Sequence, residues 1–417
     1  MAKVIQKSVK ELKVSLRFDE HTIPVGRLAI RDYQIYFEYY NSFVAEGLEI
    51  SPFKLPLKTG LKVFDKTPFE GLAGVFSDSL PDGWGRLLFD RFFKSKQIVP
   101  ETLSPLDRLA YVGKTGMGVL VYEPDHKFLD SNEKDLNVDQ FYEQSQKILQ
   151  GKASSVLREM IKFNGSSAGA RPKALIGVNS NKTKIVSNQE NLPEGFEPWI
   201  VKFPNSFDGN DAGAIEYVYA LMAKEAGVEM SPVHLFESAK CPGYFATERF
   251  DRKGKQRLHM HTAGGLLHSD FRYPSLDYKD LITLAGVLTK DVREVEKMYR
   301  LAVFNILSHN RDDHAKNFAF LMNKQGQWKL APAYDLTFSS GPGGQQSTML
   351  MGEGQYPNTK GLISLGEFAK LKKQAIDDII SATKQALSQW TNLAKNFDVN
   401  ADNIKLINSK IKLIEEP

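Results

Sequence analysis

The stretch of sequence that decides the fold is the polar run Asn310-Arg311-Asp312-Asp313-His314-Ala315-Lys316-Asn317. An apolar stripe at helical spacing precedes it, formed by Val292, Val295, Tyr299, Ala302 and Ile306. Two apolar runs follow it, residues 318–322 and 327–330, and the turn residues between them predict a β-hairpin. The polar run is therefore expected to be a loop between a long helix and a hairpin.

The loop and the end of the hairpin carry the residue types that phosphoryl transfer requires. Arg311, Asp312 and Asn317 have the spacing Arg-Asp-x-x-x-x-Asn of the protein-kinase catalytic loop, and Asp335 follows the hairpin. Transfer needs a carboxylate to orient the attacking hydroxyl and oxygen ligands to hold Mg²⁺. We predict Asp312 as the base, and Asn317 and Asp335 as metal ligands. Because Asp-x-x-x-x-Asn is frequent by chance, a solvated polar turn is the alternative for this motif taken alone.

Residues upstream of the loop complete a possible nucleotide site. Lys202 is the one charge in the strand-like run 199–204 and is predicted to contact phosphate. Glu216 lies on the next predicted helix and is expected either to pair with Lys202 or to be an exposed helix charge. The small residues 165–170 are predicted to approach phosphates through backbone N–H groups. No Gly-x-x-x-x-Gly-Lys-Ser/Thr motif is present, which disfavours a P-loop NTPase.

Taken together, these motifs resemble the HipA-type serine/threonine kinases, which are toxin components of bacterial toxin–antitoxin systems. The segments that carry the resemblance are residues 79–86, 107–113, 166–173, 248–252, 312–317 and 332–335. The resemblance implies an α+β fold, in which a small N-terminal α/β subdomain joins a two-lobed, protein-kinase-like domain with an all-helical C-lobe. The implied boundaries are 1–122 for the subdomain, 123–255 for the N-lobe with the glycine-rich loop and the ATP lysine, and 256–417 for the C-lobe.

The resemblance also implies roles for individual residues in binding ATP and Mg²⁺. The residues implied on the ATP phosphates are Ala168, Gly169, Ala170, Arg171, Pro172, Lys173 and Lys202. Those implied to hold the adenine are Glu248, Arg249 and Phe250, and His314, Lys316 and Asn317 would complete the nucleotide site. Asp312 would accept the proton, and Tyr334 and Asp335 would lie at the metal. Autophosphorylation is implied at Ser166 or Ser167, two adjacent serines between which the sequence does not decide.

Two segments depart from the family pattern and place the chain in a side branch. Arg171-Pro172 replaces a more usual polar pair. Residues 257–265 differ from the sequence that is most common in the family after the strand implied to hold adenine. The family implies a protein substrate, such as an aminoacyl-tRNA synthetase, and a helix-turn-helix antitoxin that alone would contact DNA. Two alternatives stay open: a co-repressor or binding module with little catalysis, and a small-molecule kinase with the same loop chemistry.

Composition limits the remaining function classes. The chain has 417 residues with 54 Lys plus Arg against 50 Asp plus Glu, a balance too even to indicate a nucleic-acid binder. The single cysteine, Cys241, has no partner within the chain, so a reducing, cytoplasmic location is expected. No apolar run approaches the length of a membrane span. For His259, His261 and His268, a loop or core pair is favoured over a zinc site.

Overall fold

The computed structural model describes residues 8–126, 137–152, 160, 169–186, 192–205 and 208–412. The chain divides into two compact units. Unit 1 comprises Met1–Ile200, Asp251–His261 and Asn323–Gly326, and unit 2 comprises Val201–Phe250, Thr262–Met322 and Gln327–Pro417. The predicted domain boundaries at residues 122 and 255 stay predictions.

Unit 1 begins with a five-stranded antiparallel sheet in the order β4-β3-β2-β1-β5. Its strands are β1 (Glu11–Arg17), β2 (Thr22–Arg31), β3 (Gln34–Tyr39), β4 (Lys62–Val63) and β5 (Leu120–Glu123). The alternation of β1 buries Leu12, Val14 and Leu16 on one face, which is the period-2 pattern of a half-buried strand. On that sheet, the ring of Phe37 packs against Phe76 at 4.8 Å between centroids.

Among the described residues, five α-helices and six further strands belong wholly or mostly to unit 1. The helices are α1 (Asn41–Glu46), α2 (Gly74–Ser77), α3 (Gly83–Ser95), α4 (Pro105–Val112) and α5 (Val138–Leu149). The strands are β6 (Lys173–Asn179), β7 (Ile185–Val186), β8 (Phe196–Lys202), β11 (Arg252–Lys253), β12 (Gln256–Arg257) and β13 (His259–Thr262). Helix α3 begins at Gly83, because Asp82 takes an extended conformation as its N-cap.

Unit 2 is built around helices that pack on one hydrophobic core. They are α6 (Ala212–Glu225), α7 (Ala263–Leu267), α8 (Tyr278–Thr289), α9 (Val292–Leu307), α10 (Thr359–Phe368), α11 (Lys373–Ser388), α12 (Trp390–Asn396) and α13 (Ala401–Lys412). The predicted stripe of α9 is buried at Val295, Tyr299, Ala302 and Ile306. Val292 is an exception: as the first residue of the helix it is 67% exposed.

The predicted mixed α+β class is confirmed, and helices are the predominant regular structure of residues 256–412. These residues also contain short strands, so the expected all-helical C-lobe holds only in outline. The strands of unit 2 are β9 (Val233–Phe236), β10 (Tyr244–Glu248), β14 (Leu276–Asp277), β15 (Ala319–Met322), β16 (Trp328–Leu330) and β17 (Thr348–Met349). Among them is the predicted hairpin, in which β15 pairs antiparallel with β16 and Leu321 faces Lys329. In the part of the chain that the structure describes, no helix has the length and apolar character that a membrane span requires.

Candidate active site

Lys202 is the centre of a buried ion-pair cluster in unit 2. It is the last residue of β8, and its Nζ lies 2.5 Å from Glu216 Oε1 and 2.6 Å from Asp335 Oδ1. Glu216 is almost fully buried on α6, so the predicted pair is present and the exposed alternative is wrong. Burial lowers the pKa of Lys202, but the Asp335 and Glu216 carboxylates outweigh burial and raise it above its ordinary value. The lysine is therefore held charged and in one position.

Asp335, which faces Lys202, has an unusual backbone conformation. Its φ is +59°, in the left-handed region that aspartate tolerates better than most side chains. The preceding residue, Tyr334, is tied down by its hydroxyl, which donates to the carbonyl oxygen of Lys316 at 2.5 Å. The Asp335 side chain keeps 36% of its surface exposed, in contrast to 2% for Glu216. Of the two carboxylates on Lys202, Asp335 is therefore the one that a ligand can reach.

The predicted catalytic loop closes on itself around the backbone of Asp312. The Asp312 carbonyl oxygen accepts hydrogen bonds from Asn317 Nδ2 at 2.8 Å and from the backbone N–H of His314 at 2.9 Å. Residues Ala315–Asn317 form a single 3-10 turn, which brings Asn317 back towards Asp312. The side chain of Asp312 is exposed. This bond is made by the amide nitrogen of Asn317 and not by its amide oxygen, which is an acceptor.

Aromatic rings lie against the remaining residues of the loop. Phe271 has Lys316 Nζ at 4.7 Å from its ring centroid and the His314 ring at 5.2 Å. Phe250, from the predicted adenine segment, lies 5.4 Å from the ring of Tyr334. Sequence reasoning found Phe250 but missed Phe271, because residues 268–275 match no motif. The structure therefore brings together most predicted site residues of unit 2.

The other two residues of the predicted adenine segment are anchored at the end of β10. The backbone N–H of Glu248 donates to the carbonyl oxygen of Pro232 at 2.9 Å, and Arg249 is buried. Their predicted role in holding adenine stays a prediction.

The predicted glycine-rich loop belongs to unit 1. Ser166, Ser167 and Ala168 lie outside the described residues, whereas Gly169 to Lys173 lead into β6. Gly169 is held on both sides: its N–H donates to Asp82 Oδ1 at 2.6 Å, and its carbonyl accepts from the N–H of Trp84 at 3.0 Å. A Cβ added to Gly83 would lie 2.4 Å from that same carbonyl oxygen, so the two backbones are in direct contact. This contact explains why the motif at residues 79–86 carries Asp82-Gly83.

Two of the three candidate metal-binding histidines are core residues of unit 1. His261 Nδ1 lies 2.6 Å from Asp78 Oδ2 and its Nε2 lies 3.0 Å from Ser51 Oγ, the order of contacts found in serine hydrolases. Ser51 and His261 are both fully buried, however, so a substrate cannot reach the serine. His259, also buried, donates from Nε2 to the carbonyl oxygen of Ile50 at 2.8 Å. His268 ends helix α7 in unit 2. In the described ranges, no group of three or more His, Cys, Asp or Glu side chains is placed to hold a metal ion by itself.

Burial of His259 makes unit 1 less stable in acid. Burial and the neighbouring His261 lower the pKa of His259 to about 3. Below pH 6.5 the unfolded chain binds a proton here that the folded chain does not, so stability falls as the pH falls. Between pH 7 and pH 5 this costs about 2 kcal/mol. Urea unfolding of wild type and His259→Gln at both pH values checks it: the wild type should lose about 2 kcal/mol more. An equal loss in both proteins would contradict the buried neutral histidine.

Comparisons with known proteins support one family. The HipA N-terminal domain model matches residues 19–123, and the HipA-like C-terminal domain model matches residues 165–391. Among solved structures, a chain of the Shewanella oneidensis MR-1 toxin–antitoxin complex of HipA, HipB and operator DNA shares the fold. Its TM-score is 0.67 at 17% identity, over 95% of each chain. The Helicobacter pylori proinflammatory kinase CtkA matches with a TM-score of only 0.35, at 13% identity, over 52% of this chain and 86% of its own.

A curated relative from Sinorhizobium fredii (strain NBRC 101917 / NGR234), named "Putative kinase Y4mE", is 28% identical over 189 residues. The match covers 41% of this chain and 41% of the relative, so the chain spans well under half the length of that curated protein. The two family models, by contrast, cover strands β2 to β5 of the N-terminal sheet and the cluster around Lys202. The chain belongs to the family of HipA-like proteins.

Proposed function

We propose that this protein transfers the γ-phosphoryl group of ATP to serine or threonine hydroxyls of proteins. The observation that carries the proposal is the Lys202 cluster, in which a buried lysine is held between Glu216 and Asp335. A lysine paired with a helix glutamate, beside a metal-binding aspartate, is the arrangement that protein kinases use on ATP phosphates. The two carboxylates raise the pKa of Lys202 and so keep it charged in spite of its burial. A scaffold that only bound a partner would not need such a group.

Each predicted site residue discussed below then has a defined role in the reaction. Lys202 binds phosphate oxygens, and Asp312 accepts the proton of the attacking hydroxyl through its exposed carboxylate. The hydroxyl oxygen forms the new bond to the γ-phosphorus while the bond to the β–γ bridging oxygen breaks, and ADP leaves. The bond from Asn317 Nδ2 to the Asp312 carbonyl fixes the loop that carries this base. His314 and Lys316 are proposed at the nucleotide, with Phe271 and Phe250 as neighbouring rings.

The residues present fit a magnesium ion. Mg²⁺ prefers hard oxygen ligands and is commonly bound by one or two carboxylates together with substrate phosphates. Asp335 offers a partly exposed carboxylate, and Asn317 offers an amide oxygen. The absence of a three-residue acidic or histidine cluster in the described part of unit 2 agrees with a site that depends on the nucleotide for its other ligands. When bound, Mg²⁺ would neutralise the negative charge of the phosphates.

The proposal extends to partners through the likeness to the Shewanella complex, which contains HipB and operator DNA. We propose a helix-turn-helix antitoxin as the partner of this chain, with DNA contacted only through it. Autophosphorylation at Ser166 or Ser167, an aminoacyl-tRNA synthetase as substrate, and phosphate contacts from residues 168–173 stay predictions.

A transfer assay with γ-labelled ATP and Mg²⁺ tests the proposed activity. The acceptors are the chain itself, a lysate, and a panel of amino alcohols and aminoglycosides, followed by phosphoamino acid analysis. We expect phosphoserine or phosphothreonine on protein, and no label with Asp312→Asn. Label on the small molecules alone would replace the protein kinase by a small-molecule kinase. No label anywhere would leave the co-repressor as the better account.

A further inference from the structure

Asp313 is a buried carboxylate directly beside the proposed base. Asp312 is exposed, whereas Asp313 has 0% of its surface accessible, so the two consecutive side chains point in opposite directions. Both oxygens of Asp313 are engaged. Oδ1 accepts from the backbone N–H of Thr348 at 3.1 Å, and Oδ2 accepts from Gln346 Nε2 at 2.9 Å and from the hydroxyl of Tyr278.

The partners of Asp313 come from separate parts of unit 2. Tyr278 is the first residue of α8, and Thr348 begins β17, which pairs in parallel with β14. Gln346 donates a second bond to the carbonyl oxygen of Asn310, at the start of the loop, at 2.8 Å. Through these bonds one side chain ties the loop to α8 and to the segment that follows Asp335.

A second layer of hydrogen bonds holds the partners themselves. Asn305 of α9 donates to the Tyr278 hydroxyl at 3.1 Å, and Asn310 donates to Asn305 Oδ1 at 3.0 Å. All of these side chains are 98% or more buried. Rotation of the Asp313 side chain would therefore break several bonds among groups that water cannot reach.

Such an arrangement is costly as a means of stabilising the fold. Burial raises the pKa of Asp313 to about 7, although the bonds from Gln346, Tyr278 and Thr348 lower it. Replacing buried charges by apolar residues of similar volume is often neutral or stabilising, so a buried carboxylate is weak evidence for a role in stability alone. Its better-supported use is to specify one geometry, and the geometry specified here is that of the loop carrying Asp312.

We infer that Asp313 is a positioning residue for the phosphoryl transfer, which holds the backbone of the loop so that Asp312 meets the acceptor hydroxyl. The inference rests on the proposed function. It differs from the role of Asn317, which closes the loop on its exposed side, because Asp313 anchors the loop from the buried side. A positioning role predicts a loss of turnover without a matching loss of nucleotide affinity.

The test compares Asp313→Asn and Tyr278→Phe with wild type for kcat, for the KM of ATP and for melting temperature. Asparagine keeps the shape but removes one acceptor, and phenylalanine removes one donor. We expect kcat to fall about 10- to 100-fold for Asp313→Asn and about 3- to 10-fold for Tyr278→Phe, with the KM of ATP within about twofold of wild type. Thr383→Val is the matched control: Thr383 is a fully buried hydroxyl on α11 that bonds the Ile379 carbonyl, and its loss should lower stability but not kcat.

The outcomes separate the inference from the proposed function. If wild type transfers no phosphate, the proposed function fails. If wild type is active and folded Asp313→Asn keeps its kcat, or if its KM for ATP rises as much as its kcat falls, the positioning role is overturned. Where Asp313→Asn does not fold, Tyr278→Phe decides: an unchanged kcat in that variant overturns the inference.

Discussion

Asp335→Asn should lower phosphoryl transfer by about 1,000-fold while the chain stays folded. The substitution removes one of the two anionic partners of Lys202 and the partly exposed carboxylate proposed for Mg²⁺. Glu216 still pairs with Lys202, and asparagine tolerates the left-handed conformation at φ +59°. The measurement is the initial rate with γ-labelled ATP, together with the melting temperature. The initial rate is expected to fall, with little change in the melting temperature.

Asp398→Asn is the matched control for that experiment. Asp398 is another left-handed aspartate of unit 2, with φ +54°, but it is exposed and belongs to none of the predicted site motifs. The same change of charge and shape there should leave the rate unchanged. Equal rates for wild type and Asp335→Asn would contradict the assignment of Asp335 to the phosphate and metal site.

Gly83→Ala should destabilise unit 1 by about 2–4 kcal/mol. Gly83 has φ +44°, and an added Cβ would lie 2.4 Å from the Gly169 carbonyl oxygen and 2.8 Å from the Ala170 Cα. These are backbone atoms, which cannot swing aside as the end of a side chain can. The bond that Gly169 donates to Asp82 and the bond that it accepts from Trp84 would therefore also be lost or displaced. The free energy of unfolding in urea, compared with wild type, measures the effect.

Gly47→Ala separates strain from collision in this prediction. Gly47 has φ +74° at the end of α1, but nothing lies within 4 Å of its added Cβ. Its replacement should cost only the backbone strain, about 1 kcal/mol. If Gly83→Ala costs no more than Gly47→Ala, the contact between the start of α3 and Gly169 is not as described.

The parts of the site that follow from local pattern were predictable from the sequence. The helix–loop–hairpin order around residues 310–317 depends on apolar periodicity and turn residues, both of which are visible in the chain. The pairing of Lys202 with Glu216 was an open choice in the sequence, because burial of a helix charge depends on what packs over it. In the structure Glu216 is only 1% exposed.

Other parts of the site depend on contacts between distant residues, which no local pattern encodes. The direct bond from Lys202 to Asp335 joins residues 133 positions apart, and the bond from Gly169 to Asp82 joins residues 87 apart. In the sequence, Asp313 is one more charged residue of a polar run. The structure shows that it is buried and hydrogen-bonded to Tyr278 and Gln346. The motif at residues 79–86 was recognised by resemblance. Its physical role, the hydrogen bonds of Asp82 and Trp84 with Gly169, is visible only in the structure.

The central claim is that Asp312 and its loop carry out phosphoryl transfer, and a single-turnover experiment tests it most directly. Wild type and Asp312→Asn are each mixed in excess with Mg²⁺ and γ-labelled ATP, and the transfer rate and the dissociation constant for ATP are both measured. The account predicts that the rate falls about 100- to 10,000-fold in the variant, with ATP affinity within about twofold of wild type. Equal transfer rates in the two proteins would contradict it.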